Sequence, residues 1–291
     1  MNFKNLFNLY LESTSKNLAH STLQGYQSMF AKVCQNIGNK DITTLKTLDL
    51  QKIINSYYQL SAKSINNYIS FLQSVFKFAV NMQILKHSPA DGLVRCKHVI
   101  KPIECLTGTQ ASKLIKYLIK QNQLVGLFYA VAFNTGMRTS ELYGLRWQDI
   151  NIHNKKITIE GAVVRGVRKA TKTNKVRCID VNNACIEHLI QLYSISRERE
   201  YAFSTDTYNF TCNNAKSRVL LWYKALQLLN IPKIKPSATR HTYASIALSN
   251  GARPAWLALQ LGHASINTTY KFYAKWINSD DNIKYANLIN L

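Results

Sequence analysis

The chain has 291 residues, 46% of them hydrophobic, which is long and apolar enough for two ordinary domains or one large one and is not the composition of a disordered chain. Its 37 Lys and Arg against 15 Asp and Glu give a formal net charge of +22, so the expected partner is a polyanion, nucleic acid ahead of an anionic membrane. No apolar run approaches the roughly twenty residues of a transmembrane helix, Met1-Asn2-Phe3-Lys4 opens no apolar signal core, and Cys34, Cys96, Cys105, Cys178, Cys185 and Cys212 have no zinc-ligand spacing, so reduced thiols and a cytoplasmic protein are expected.

Both ends of the chain share the charge: residues 1–100 hold 11 basic and 4 acidic side chains, residues 101–291 hold 26 and 11. Phe3, Leu6, Phe7 and Tyr10 recur at helical spacing. Ser21 or Thr22 is a candidate cap for a second helix carrying Leu23, Tyr26, Met29, Phe30 and Val33. Thr47 opens a short third helix, and Ser61 or Ser64 a fourth that runs through Ile65, Ile69, Leu72 and Phe76. His87-Ser88-Pro89-Ala90-Asp91-Gly92 breaks the pattern. Residues 1–93 therefore form a four-helix unit, and the basic, aperiodic stretch 94–103 reads as a linker, either part of a clamp around a duplex or an ordinary surface connection.

Beyond it, Thr107 or Thr109 caps a helix, and an apolar helix from Leu124 to Asn134 stops at Gly136, just before Arg138. Lys156–Glu160 and Val176–Val181 alternate apolar and polar residues and read as strands. Between them, the run from Arg165 to Arg177 holds six basic residues and no acid. Helices follow at 184–193 and 215–229. Another starts at Ser237 or Thr239 and ends at Gly251, the next starts at Pro254 and ends at Gly262, and the last spans about 265–277.

Four separated segments carry groups suited to a phosphodiester. Arg138 and Arg240 offer fixed donors for phosphate oxygens, and His263 offers a further donor. Tyr273 offers a hydroxyl nucleophile, and Lys172 an amine able to protonate a departing oxygen. No acidic cluster suited to a pair of metal ions is evident, and no metal or cofactor is expected. Singly, each residue has a plainer reading: Tyr273 as a packing aromatic, His263 as a helix-end histidine, Arg138 as the partner of Glu141 three residues on, and the basic run as a solvated loop.

Together and in this order the segments resemble the tyrosine recombinase (phage integrase) family. The resemblance rests on Thr135-Gly136-Met137-Arg138-Thr139-Ser140-Glu141-Leu142, Thr171-Lys172-Thr173-Asn174, Thr239-Arg240-His241-Thr242-Tyr243, Leu261-Gly262-His263, and Tyr273-Ala274-Lys275-Trp276. It implies a mainly α protein: a four-helix, SAM-like core-binding domain at 1–93, then an α+β catalytic domain with a small antiparallel sheet at 104–277. Residues 278–291 would form a tail that docks on a neighbouring subunit or packs on its own domain. It also implies cutting and rejoining of double-stranded DNA through a 3′-phosphotyrosine without metal or ATP. Tyr273 would be the nucleophile, Arg138, Arg240 and His263 would hold the phosphate, and Lys172 would be the general acid. Glu141 would support Arg138, while Arg165, Arg168, Lys169 and Lys175 would meet the DNA backbone. The assembly implied is a homotetramer on two sites in a bacterial cell or nucleoid, with room for an accessory DNA-bending protein and with phage or mobile-element origin.

Three departures qualify the resemblance. Ser237 stands where the family usually has histidine; its hydroxyl can bond a phosphate but cannot shuttle a proton at neutral pH. His241, adjacent to Arg240, is expected to face elsewhere on the helix and to pack. A short core site read without an arm-binding domain is expected, and Tyr270 competes with Tyr273, which the family's spacing from the histidine favours. A type IB topoisomerase-like enzyme and a catalytically weakened DNA-binding accessory factor are the competing readings.

Overall fold

The computed structural model describes residues 1–97, 102–164, 166–170, 176–204 and 215–277. The chain divides into two compact units, Met1–Lys101 and Pro102–Leu291.

The first unit is four helices: α1 (Phe3–Thr14), α2 (His20–Ile37), α3 (Thr47–Ser56) and α4 (Ala62–Asn81). The Asn2 side chain accepts from the Asn5 N–H at 2.8 Å and caps α1, and Ser61 caps α4 through the Ser64 N–H at 3.2 Å. Ser21 and Thr22 are not caps. They lie inside the first turn of α2, whose N-cap is Ala19 with no side-chain capping bond. The core is aromatic, with Phe7 stacked on Phe30 (ring centroids 4.1 Å) and Phe3 on Phe76 (5.6 Å). Asn66 on α4 grips the backbone of Cys96 twice, donating to its carbonyl at 2.8 Å and accepting from its N–H at 2.9 Å.

The second unit opens with α5 (Gly108–Gln121) and α6 (Gln123–Thr135). Thr107 and Gln110 cap α5 reciprocally, the Thr107 hydroxyl accepting from the Gln110 N–H (3.2 Å) while the Gln110 side chain accepts from the Thr107 N–H (2.9 Å). The short α7 (Thr139–Tyr143) follows. Strands β1 (Ile150–Asn151), β2 (Lys156–Ile159) and β5 (Arg177–Asp180) form an antiparallel sheet in the order β1-β2-β5, with Ile157 opposite Ile179. A separate hairpin pairs β3 (Gly161–Val164) with β4 (Val167–Ala170). Alternation in the sequence marks β2 and β5. It does not mark β1, which has two residues, or the Gly-Ala-Val-Val of β3, which is buried on both sides and so has no polar face to alternate.

Helices α8 (Asn183–Ser196), α9 (Ala215–Leu228), α10 (Ala238–Ser249), α11 (Pro254–Leu261) and α12 (Ile266–Tyr273) complete the unit, the last running into a 3-10 turn at Ala274–Trp276. The fold is thus mainly α with small antiparallel sheets. Its main core gathers around Trp222, whose ring lies 4.7 Å from Tyr129 and whose Nε1–H donates to the Ile234 carbonyl at 2.7 Å. A smaller core joins Ala244 and Leu248 of α10, Leu257 and Leu261 of α11, and Tyr273 of α12. No helix among the described residues is long and apolar enough to cross a membrane.

Removing the fully buried Phe76 ring leaves a cavity against Phe3. Phe76→Ala should therefore cost about 3–5 kcal/mol of the first unit's stability. Because Trp147, Trp222, Trp256 and Trp276 all lie in the second unit, urea unfolding followed by far-UV circular dichroism is the appropriate measurement. An unchanged midpoint would contradict this packing.

Candidate active site

The site is built on the C-terminal end of α11. A helix leaves its last carbonyls without intrahelical partners and concentrates partial negative charge there. Here Gly262 (φ 64°) turns the chain in the left-handed region, and the N–H groups of Gly262 and His263 return to the carbonyls of Leu259 (3.0 Å) and Ala258 (2.9 Å). The next three carbonyls each take an arginine. Arg177 Nε–H donates to Gln260 O at 3.2 Å, Arg240 donates from a terminal nitrogen to Leu261 O at 2.7 Å, and Arg138 does so to Gly262 O at 3.1 Å. A Cβ at position 262 would come within 2.8 Å of the Arg177 guanidinium, so only glycine allows this approach.

Arg138 arrives at this point because α6 ends at Gly136, which also takes a left-handed φ of 62°. A Cβ there would meet the Tyr243 ring at 2.5 Å. The Gly136 carbonyl accepts from the other terminal nitrogen of Arg240 at 2.8 Å, so α6, α10 and α11 are all tied to one guanidinium. Glu141 on α7 then bridges the remaining pair. Its carboxylate accepts from Arg138 at 2.7 Å and from both terminal nitrogens of Arg177 at 3.0 and 2.7 Å, and it accepts the Arg138 backbone N–H at 2.8 Å. Three guanidinium groups against one carboxylate leave the cluster net positive. Arg138 and Arg240 retain N–H donors beyond these bonds that can be offered to an anion.

His263 follows directly after Gly262. Its Nδ1 is paired with the Thr269 hydroxyl at 2.8 Å, which orients the ring. Tyr273, at the end of α12, is 2% exposed and packs in the small core. Its ring lies nearly parallel to that of His263 (9°, centroids 6.3 Å), and its hydroxyl is 2.7 Å from Nδ1 of His241. Tyr270 is 45% exposed on the same helix.

Burial and mutual charge set the protonation states. Burial lowers the Arg240 pKa to about 10, with the Arg138 charge adding to the effect, so it remains a cation at neutral pH. Burial, then the charges of Arg240, Arg138 and Arg177, lower His263 to about 4. His241 is lowered by burial and by Arg240. Burial pushes the Tyr273 phenol up to about 12, against an opposing pull from Arg240. Both histidines are therefore neutral at neutral pH and the tyrosine holds its proton. A bound phosphodiester would add negative charge and raise both histidines.

The structure brings Arg138, Glu141, Arg240, His263 and Tyr273 into one cluster. Ser237 is exposed at the start of α10 and makes no capping bond. Arg168 and Lys169 are exposed on β4. Lys172, Arg165 and Lys175 lie outside the described residues. The expectation for His241 needs correction: it does not face away but bonds Tyr273. Neighbours on a helix differ by about 100° in direction, but α12 packs across α10 so that Tyr273 meets position 241, while the longer Arg240 reaches the carbonyls of Gly136 and Leu261. Arg177 and Thr269 were also missed. Arg177 shares a strand face with the buried Ile179, a period-two signal that could have identified it.

Burial alone would raise the Glu141 carboxyl pKa, but hydrogen bonds and charge from Arg177, then Arg138, outweigh it and leave it lowered. The pair contributes fully above the unfolded value of 4.5 and is lost as pH falls below it. Glu141→Ala leaves buried positive charge uncompensated and should cost about 3 kcal/mol, near the low end for a buried pair because the Arg138 side chain is still 28% exposed. Urea denaturation at pH 7 measures this. The difference from wild type should shrink below pH 4.5, and a difference independent of pH would contradict the assignment.

The phage integrase family profile matches residues 104–278, and the profile of its N-terminal SAM-like domain matches residues 5–83. A tyrosine recombinase XerC-like protein of Caldanaerobacter subterraneus subsp. tengcongensis is 26% identical over 290 residues, covering 86% of this chain and 72% of that protein. Among solved structures, the Tn1549 transposon integrase in complex with a circular intermediate DNA superposes with a TM-score of 0.84 at 21% identity, covering 99% of both chains. A lambda integrase tetramer bound to a Holliday junction gives a TM-score of 0.72 at 16% identity, covering 91% of this chain and 78% of that one. At these identities the solved structures speak to the fold, while the family match spans more than half the chain and covers every member of the arginine, histidine and tyrosine cluster: the protein belongs to the phage integrase family of tyrosine recombinases.

Proposed function

We propose that this enzyme recombines double-stranded DNA at specific sites through a covalent 3′-phosphotyrosine. The observation that carries the reading is the convergence of Tyr273, Arg138, Arg240 and His263 on the C-terminal end of α11. Tyr273 Oη forms the bond to phosphorus, the bond to the 5′ oxygen breaks, and that oxygen takes a proton from Lys172. Arg138 and Arg240 neutralise the non-bridging oxygens of the pentavalent phosphate, and the free Nε2 of His263 donates to it once phosphate charge has raised its pKa. The charge is met by guanidinium groups rather than by metal. Attack by the 5′ hydroxyl of a partner strand reverses the first step and releases Tyr273. Bond energy is retained in the phosphotyrosine, so ATP is not required.

The first unit serves as the core-binding half of the enzyme, in keeping with its basic charge and its SAM-like profile. Arg168 and Lys169, exposed on β4, contact the DNA backbone, together with Arg165 and Lys175 of the same basic run. A homotetramer on two sites is the working assembly; the lambda integrase tetramer on a Holliday junction supports this reading. Residues 278–291 lie outside the described residues. The enzyme would act in the cytoplasm of a bacterial cell.

The test is covalent capture. Wild-type protein is incubated with a random-sequence pool of nicked duplexes, and DNA that stays attached through boiling in detergent is recovered. Wild type and Tyr270→Phe should form the adduct and Tyr273→Phe should not; adduct formation by Tyr273→Phe, or none by wild type, would refute the reading. With a captured duplex in hand, Arg138→Ala and Arg240→Ala should each slow cleavage by about 10²–10³-fold. Lys172→Ala should slow cleavage of the normal 5′ oxygen and be rescued by a 5′-thio leaving group, which needs no proton. Absence of rescue would remove Lys172 as the general acid.

A further inference from the structure

His241 is the hydrogen-bond partner of the Tyr273 hydroxyl among the described residues, at 2.7 Å from Nδ1. The other candidates for handling the phenolic proton are placed less well. Ser237 is exposed and has no basic nitrogen. His263 has its Nδ1 engaged by Thr269 at 2.8 Å, and its other nitrogen is the one assigned to the phosphate. Arg240 is a fixed cation with no acceptor.

We propose that His241 is a catalytic residue that takes the proton from Tyr273 as the phosphotyrosine forms and returns it when the DNA is rejoined. The inference rests on Tyr273 being the nucleophile. In cleavage, the Oη–H bond breaks, its proton passes to Nδ1 of His241, and the oxygen's electron pair forms the bond to phosphorus. The leaving 5′ oxygen is protonated separately by Lys172. In rejoining, the imidazolium gives the proton back to the departing phenolate. The imidazole must therefore carry its resting proton on Nε2 and accept through Nδ1.

The surroundings suit the role. Arg240 flanks His241 on α10, Tyr273 faces it from α12, and His263 lies within electrostatic reach from the end of α11. Cys105 and Lys275 lie further round, Cys105 coupled to Tyr273 and Lys275 to Cys105. Burial and Arg240 lower the His241 pKa below 6.5, so the ring is unprotonated and ready to accept at neutral pH. The phosphate that neutralises Arg240 during the reaction would at the same time make His241 a stronger base.

The experiment is single-turnover cleavage of the captured nicked duplex across pH. Wild type should be level near neutrality and lose rate as pH falls through the lowered His241 value. His241→Asn keeps an acceptor near the position of Nδ1 but cannot take the proton. With unchanged circular dichroism and unchanged duplex affinity, it should cleave about 10²–10³-fold more slowly at pH 7, and its rate should climb about tenfold per pH unit as hydroxide substitutes. A His241→Asn enzyme with the wild-type rate and pH profile would overturn the proposal and leave His241 a positioning residue. A second measurement needs no cleavage: ¹⁵N spectra of the wild-type histidines should show His241 Nδ1 unprotonated, with a shift that changes in Tyr273→Phe. A proton found on Nδ1 would also overturn it. Failure of wild type to capture DNA would refute the nucleophile reading, while the tautomer would still be decided by the spectra.

Discussion

The open carbonyls at the end of α11 are the constraint on which the site depends. Once the Gly262 turn has satisfied the carbonyls of Ala258 and Leu259, those of Gln260, Leu261 and Gly262 are left to Arg177, Arg240 and Arg138. Three cations drawn to one place would repel one another. The partial negative charge of the helix end and the buried Glu141 carboxylate hold them together while leaving the cluster net positive. The guanidinium groups are thus held in fixed orientations, and under the proposed function their free donors would meet a phosphate without the cost of reorganisation during the reaction.

The same arrangement explains why the two glycines are needed. At Gly136 and Gly262 the backbone is left-handed, and at each a Cβ would strike a neighbour that the site requires, Tyr243 in one case and the Arg177 guanidinium in the other. Each glycine carbonyl also receives an arginine. A third close approach, where a Cβ on Gly144 would come within 3.1 Å of the Val163 backbone nitrogen, brings the end of α7 against β3. The helix that carries Glu141 is thereby braced against the hairpin that presents Arg168 and Lys169.

Tyr273, the proposed nucleophile, is also a core residue. It packs with Ala244, Leu248, Leu257 and Leu261, so the contacts that place its ring are ordinary hydrophobic contacts. Burial holds the phenol protonated, with a pKa of about 12. A hydroxyl so buried requires a polar partner, and His241 is that partner. The contact therefore has a structural reason to exist as well as the chemical one argued above.

The sequence alone determined what depends on local pattern. Helical spacing of Phe3, Leu6, Phe7 and Tyr10 located α1, the turn-forming Gly136 and Gly262 marked the ends of α6 and α11, alternation marked β2 and β5, and the residues of the boxes around Arg138, Arg240, His263 and Tyr273, in their order, carried the resemblance to the family. What the sequence left undecided depends on which elements cross. Strands β1 and β3 are too short or too buried to alternate, and Arg177 looked like one more charge in a basic run until β5 was set beside α11 and Glu141. From the direction of α10 alone, His241 reads as a packing residue. Only tertiary structure lays α12 across that helix, and a hydrogen bond between residues 32 positions apart has no local pattern by which it could be read.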